Sequence, residues 1–128
     1  MAWYLDTSAF LKLLVDENES AAMRDWAVHH DSLWSSQLLR TEAVRAASRL
    51  GISSEDVENA LESVSLIMPS VATFYTAGHL APHSLRSLDA LHLATALEMG
   101  DDLEGMVTYD ERLIDALRDA SIVVASPA

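Results

Sequence analysis

The sequence contains no cysteine. Disulfide scaffolds, cysteine zinc sites and thiol nucleophiles are therefore excluded, and the composition is compatible with a reducing compartment. No stretch approaches the roughly 18 consecutive apolar residues that a membrane span requires, so we expect no membrane association. Residues 1–6 lack a basic leader and reach an acid at once, which argues against a signal peptide. Together these absences predict a cytoplasmic protein.

Positive charge is scarce. Lysine and arginine number 8 against 20 aspartates and glutamates, so the formal net charge is −12. Nucleic-acid binding usually shows as a basic surface, and this balance argues against it. Two features weaken the objection. Divalent cations would neutralise acids gathered in one cleft, and the few arginines are clustered, with Arg40, Arg45 and Arg49 in one segment.

The sequence alternates between candidate strands and candidate helices. Half of its 128 residues are hydrophobic, which predicts one folded domain over residues 1–128. Apolar runs predict strands at residues 2–5, 32–35, 66–68, 105–108 and 122–125. Helical patterns lie at residues 9–14, 20–30, 37–50, 53–63, 71–77, 86–99 and 110–120. This order predicts an α/β fold, a three-layer αβα domain with a central parallel sheet of four to five strands.

A structural role alone does not fully explain the positions of two acids, Asp6 and Asp89. Asp6 directly follows the first predicted strand, and ligands of open α/β sheets bind at the carboxyl ends of strands. Asp6 could instead cap the next helix, although Thr7 or Ser8 could do so and leave Asp6 free. Asp89 lies in the most apolar helix, where an ionised acid needs a cation or hydrogen bonds. A salt bridge with Arg86 or a first-turn dipole contact would also explain it.

Two further acids carry weaker signals. Glu42 lies beside the apolar stripe of its helix, at the edge between core and cleft, but could pair with Arg45 or Arg49 on the surface. Asp110 follows a predicted strand by two residues, at the same edge of the sheet as Asp6, but could simply cap the next helix. Thr108 could add a hydroxyl ligand or orient a metal-bound water.

Together the four acids suggest one acidic cleft. Carboxylate and water ligands suit Mg²⁺ or Mn²⁺, which could activate water and stabilise a phosphoryl transition state. The histidines form no recognised zinc pattern. His92 is expected to be packed or hydrogen-bonded rather than to line the cleft, and the three tryptophans are expected in the core or a dimer interface.

Four short motifs resemble those of a known nuclease family. They are LDTSA at residues 5–9, TEAV at 41–44, LDALHLATA at 88–96 and TYDERL at 108–113. In this order and in a chain of this length, they resemble PIN-domain nucleases, and most closely the VapC-type toxins of bacterial VapBC systems. The first and third motifs are the more specific, and all four acidic positions are filled.

The resemblance implies a site and a reaction. Asp6, Glu42, Asp89 and Asp110 would bind one or two Mg²⁺ or Mn²⁺ ions, and Thr108 would support them. The implied reaction is endonucleolytic cleavage of structured RNA, such as tRNA or ribosomal RNA. The resemblance also implies a homodimer that is neutralised by a VapB-type antitoxin and that binds promoter DNA only through the antitoxin complex.

Competing interpretations share parts of this pattern. A receiver domain would need a phospho-acceptor Asp after a central strand and a late Lys, and the only lysine is Lys12. An Asp-x-Asp phosphatase would need a second Asp where Ser8 stands. A non-catalytic module that binds RNA or an antitoxin remains the main alternative. Whether the protein cleaves RNA or only binds it, five arginines are candidates for phosphate contacts: Arg40, Arg45, Arg49, Arg86 and Arg112. Each could instead form a surface salt bridge.

Overall fold

Strands alternate with helices along the whole chain. The computed structural model describes residues 1–128. The strands are β1 (Ala2–Leu5), β2 (Leu33–Ser36), β3 (Ser65–Ile67), β4 (Leu103–Val107) and β5 (Val124–Ala125). The helices are α1 (Thr7–Leu14), α2 (Ser20–Val28), α3 (Leu38–Arg49), α4 (Ser54–Leu61), α5 (Val71–Gly78), α6 (Ser87–Leu97) and α7 (Glu111–Asp119). A short 3₁₀ helix, Gly100–Asp102, leads into β4.

The five strands form one sheet in the order β3-β2-β1-β4-β5, and every neighbouring pair is parallel. β1 lies at its centre, and all four of its residues are buried. A strand with helices on both faces has no polar side, which explains why the run Ala2–Leu5 shows no polar alternation. The predicted fold class is therefore confirmed, with five strands.

The side chains of the central strands divide the core into two layers. Trp3 and Leu5 pack with residues of α1, α2, α3 and α4. Tyr4 points to the opposite face and packs with Met106 and residues of α6 and α7. This division follows from the two-residue period of a strand. It produces the three layers predicted from the sequence.

Several predicted boundaries move by one or two residues. β4 begins at Leu103 instead of residue 105, directly after the 3₁₀ turn, and the last strand is reduced to Val124–Ala125. α6 begins at Ser87, and its continuous burial starts at Ala90, so its first turn is more open than the apolar sequence indicated. No helix combines the length and apolar composition that crossing a membrane would require.

Candidate active site

Asp6 lies where β1 ends and α1 begins. Its backbone is still extended (φ −85°, ψ 179°), and its side chain caps α1 by accepting a 3.0 Å hydrogen bond from the Ala9 N–H at Oδ1. The expectation that Thr7 or Ser8 would cap this helix was wrong, because the helical conformation begins immediately after Asp6. The cap does not remove Asp6 from the cleft. One carboxylate has capacity for several partners, and Asp6 meets other groups there.

Two hydroxyl groups hold the Asp6 carboxylate. Ser8 Oγ donates to Oδ1 at 2.7 Å, and Thr108 Oγ1 donates to Oδ2 at 2.6 Å. The Thr108 contact joins the ends of β1 and β4, which are neighbours in the sheet. The sequence predicted a supporting role for Thr108 but considered Ser8 only as a helix cap. Ser8 also accepts a hydrogen bond from the Tyr109 N–H at 2.9 Å, and so ties the two strand ends together.

Burial raises the pKa of Asp6, whose residue is only 4% exposed. Removing a carboxylate from water disfavours its charged form. The hydrogen bonds from Thr108 and Ser8 act in the opposite direction, because they stabilise the anion. An ionised Asp6 is therefore costly here, and a nearby cation would favour it.

Asp89 lies in the first turn of α6 and is half-buried. Its side chain makes no hydrogen bond and no ion pair, so the alternative of a salt bridge with Arg86 is not realised. Burial raises its pKa most, and the negative charges of Asp110, Asp6 and Glu42 raise it further. Three acids that are far apart from Asp89 in the sequence are therefore near it in the fold, and we call the region they share the acidic cleft.

Asp110 forms the N-terminal cap of α7. Its Oδ1 accepts hydrogen bonds from the Arg112 N–H at 3.0 Å and the Leu113 N–H at 3.5 Å, and its own N–H donates to Thr108 Oγ1 at 3.1 Å. The capping alternative is thus realised. As with Asp6, capping and a position in the acidic cleft occur together, because the helix begins at the carboxyl end of a strand.

Glu42 reaches the cleft from α3. Its expected alternative partners, Arg45 and Arg49, do not contact it. Instead Glu42 Oε1 lies 2.6 Å from His92 Nε2. His92 is hydrogen-bonded, as the sequence analysis favoured, but its partner is one of the four acids. The helical periodicity of the sequence did not indicate this pairing, whose two residues are 50 positions apart in the chain.

The five arginines proposed as phosphate contacts fall into two groups. Arg40 forms an ion pair with Glu58 and donates to Gln37 Oε1 at 3.2 Å, which corresponds to the surface-pair alternative. The other four are exposed and in no ion pair. They are Arg45, Arg49, Arg86 and Arg112.

The oxygen donors of the acidic cleft are only partly arranged to coordinate a metal ion. No three histidine, aspartate or glutamate side chains are grouped closely enough to hold one ion directly. The donor chemistry nevertheless fits a hard divalent cation. The charges of three carboxylates act on a fourth, that of Asp89, and Asp89 has no hydrogen-bond partner in the protein. Small side-chain rotations and bridging water would have to complete the coordination, as is usual for Mg²⁺.

Comparison with known proteins agrees with this architecture. The family profile described as "PIN domain" matches residues 3–118. The chain belongs to the PIN-domain family. The matched region contains Asp6, Glu42, Asp89 and Asp110.

Relatives of this PIN domain extend over its whole length. Ribonuclease VapC46 of Mycobacterium tuberculosis is 40% identical over 128 residues, which cover 99% of this chain and 98% of that protein. The structure of the M. tuberculosis toxin VapC20, described as cleaving the sarcin–ricin loop, has a TM-score of 0.77 at 15% identity, covering 98% and 100% of the two chains. A toxin–antitoxin complex from Klebsiella pneumoniae has a TM-score of 0.75 at 19% identity, covering 100% and 98%.

Proposed function

We propose that this protein is an endoribonuclease toxin that hydrolyses phosphodiester bonds in RNA with the help of Mg²⁺ or Mn²⁺. The observation that carries the proposal is that Asp6, Glu42 and Asp110, which come from three other segments, lie near enough to the half-buried and unpartnered Asp89 for their charges to raise its pKa. Membership of the PIN-domain family and 40% identity with a relative named as a ribonuclease support it. We further propose that residues 1–128 form a single PIN domain.

Asp6, Glu42, Asp89 and Asp110 are proposed to hold one or two ions. When bound, such an ion polarises a phosphoryl oxygen and lowers the pKa of a coordinated water. The chain's own contribution is to orient the acids. Ser8 and Thr108 fix both oxygens of Asp6, and the α7 backbone fixes one oxygen of Asp110. Asp89, which has no hydrogen bond, is free to turn toward the ion.

The proposed substrate is structured RNA, such as tRNA or ribosomal RNA. The net charge of −12 means that the molecule as a whole repels phosphate, so local cations must compensate. Unpaired arginines are suited to this role because they are free to contact phosphate oxygens. Arg45, Arg49, Arg86 and Arg112 are the candidates, and Arg40 would have to leave Glu58 to take part.

The proposed protein partner is a VapB-type antitoxin. The toxin–antitoxin complex among the similar structures and the VapC relatives make this assignment the natural one for the fold. We also propose that the chain forms a homodimer in the cytoplasm, and that promoter DNA is contacted only through the antitoxin complex.

Cleavage of total cellular RNA by purified protein, mapped with and without Mg²⁺ or Mn²⁺, tests the proposal. We expect defined cleavage sites that disappear when the metal is chelated and when Asp89 is replaced in Asp89→Ala. Asp101→Ala is the matched control, because Asp101 is an exposed acid in the turn before β4, at the opposite end of that strand from the cleft. It should cleave like the wild type.

Two outcomes would contradict the assignment. Equal cleavage by the wild type and Asp89→Ala would show that the acidic cleft is not the reacting centre. RNA or antitoxin binding without any metal-dependent cleavage would identify a binding module instead of a nuclease.

A further inference from the structure

Three side chains form a buried hydrogen-bonded chain beneath the acidic cleft. Tyr4 Oη lies 2.7 Å from His92 Nδ1, and His92 Nε2 lies 2.6 Å from Glu42 Oε1. The imidazole is 1% exposed, whereas the Glu42 side chain is 21% exposed. The chain therefore runs from the core to the cleft and ends on an acid at the surface.

The fold brings these residues together from three elements. Tyr4 precedes Asp6 by two positions, so β1 contributes one residue to the core and one to the cleft. His92 follows Asp89 by three positions on α6, and residues at this spacing share one face of a helix. Glu42 comes from α3. The imidazole thus contacts one of the four acids, Glu42, and shares a helix face with another, Asp89.

The partners determine how the hydrogens are arranged. An ionised Glu42 can only accept a hydrogen bond, so His92 Nε2 must carry the hydrogen that it donates. In the neutral imidazole Nδ1 is then an acceptor, and the Tyr4 hydroxyl donates to it. Each ring nitrogen is satisfied, and no second charge has to be buried.

We propose that His92 is a positioning residue that orients Glu42 toward the metal, and that Tyr4 holds the imidazole ring in the orientation needed for this. The inference rests on the proposed function. Asp6 and Asp110 are oriented by hydroxyl and backbone groups, but Glu42 has only His92. Without that contact its flexible side chain would lie at a partly exposed helix edge and lose rotamer entropy on binding the ion.

Mn²⁺ titration calorimetry without RNA tests the proposal. Partners that orient metal-binding side chains commonly change metal affinity by about 10-fold to 100-fold when replaced. We expect His92→Phe to weaken Mn²⁺ binding by roughly 10-fold. His92→Gln retains an N–H donor near the position of Nε2 and should recover most of the affinity. Tyr4→Phe removes only the hydrogen bond to Nδ1 and should weaken Mn²⁺ binding less than His92→Phe does.

A double-mutant cycle separates positioning from general stability. If His92 acts through Glu42, His92→Phe should cost no further Mn²⁺ affinity when added to Glu42→Ala. A lowered melting temperature with unchanged Mn²⁺ affinity would assign His92 a purely structural role and overturn the inference alone. A wild-type protein that neither binds Mn²⁺ nor cleaves RNA would overturn the proposed function, and this inference with it.

Discussion

Asp6 and Asp110 each combine two tasks in one carboxylate. Each caps a helix through backbone N–H groups, and each faces the acidic cleft. The combination is possible because a carboxylate offers more acceptor positions than one cap requires. It also means that alanine substitutions at these residues would damage the fold as well as the site, by about 1 kcal/mol for the lost cap. Asp89 caps no helix, although it lies in the first turn of α6, where a carboxylate interacts favourably with the helix dipole, and it is therefore the better probe of function.

Replacing Asp89 should stabilise the metal-free protein. Burial and the neighbouring acids raise its folded-state pKa, so at neutral pH the ionised form costs stability. We expect Asp89→Asn to raise the melting temperature at neutral pH by roughly 3 °C. The same variant should lose the thermal stabilisation that Mn²⁺ gives the wild type. Differential scanning fluorimetry with and without Mn²⁺ measures both effects.

The control for this prediction is the pH dependence of the difference in stability between Asp89→Asn and the wild type. An acid with a raised folded-state pKa binds its proton more tightly in the folded chain than in the unfolded chain. The cost of ionising it is therefore relieved as pH falls through the folded-state pKa toward the ordinary value of an aspartate, and returns in full as pH rises through the folded-state pKa. The advantage of Asp89→Asn over the wild type should shrink on acidification. An advantage independent of pH would show that the charge of Asp89 is not responsible.

At the scale of elements, the close approach of β4 to β1 determines which strand ends meet. Gly105 in β4 is paired with Trp3 in β1, whose ring lies over it. An added Cβ at Gly105 would stand 2.6 Å from that ring and 2.6 Å from the Val123 carbonyl oxygen. The contact fixes the register that brings Thr108 to Asp6, so packing in the core and geometry in the cleft are linked.

Gly105→Ala should therefore be strongly destabilising. Overpacking of a core typically costs about 1–3 kcal/mol, and here one of the obstructing atoms belongs to the backbone. Urea denaturation should show this loss in the free energy of unfolding.

Gly78→Ala is the matched control. Gly78 ends α5 with open space around the added Cβ, and its substitution should be neutral or stabilising by up to about 1 kcal/mol. Equal stability of Gly105→Ala and the wild type would contradict the packing argument.

At the scale of the whole molecule, the charge balance makes the proposed RNA binding depend on a few local contacts. A chain with net charge −12 has no general attraction for phosphate. Arg112 lies in the first turn of α7, two residues after Asp110, whereas Arg118 lies in the last turn of the same helix. Only Arg112 is close to the cleft, although both arginines are exposed.

Charge reversal at these two positions tests the local contact. RNA binding is measured in the Asp89→Asn background to prevent cleavage, at fixed Mg²⁺ and varied KCl. We expect Arg112→Glu to weaken binding by roughly 10-fold and to reduce the slope of log K against log [salt] by about 1. Arg118→Glu should have little effect. Equal effects of the two variants would indicate a nonspecific charge effect and remove Arg112 from the proposed contacts.

The order of strands and helices, the parallel three-layer class and the position of Asp6 at a strand end could all be predicted from the sequence. These features follow from local periodicity and from the alternation of strands with helices, which implies parallel strands joined by helical crossovers. The four acids could be identified as candidate site residues in the same way. The sequence did not show whether each acid caps a helix or lies in the cleft, and for Asp6 and Asp110 the structure combines both roles.

Which side chains meet depends on the packed fold and could not be predicted from the sequence. The Thr108 contact with Asp6 spans 102 positions and the His92 contact with Glu42 spans 50. A helical or strand period gives the direction in which a side chain points, but not what lies opposite it. That depends on how the layers pack and on the register between β1 and β4, where Trp3 meets Gly105.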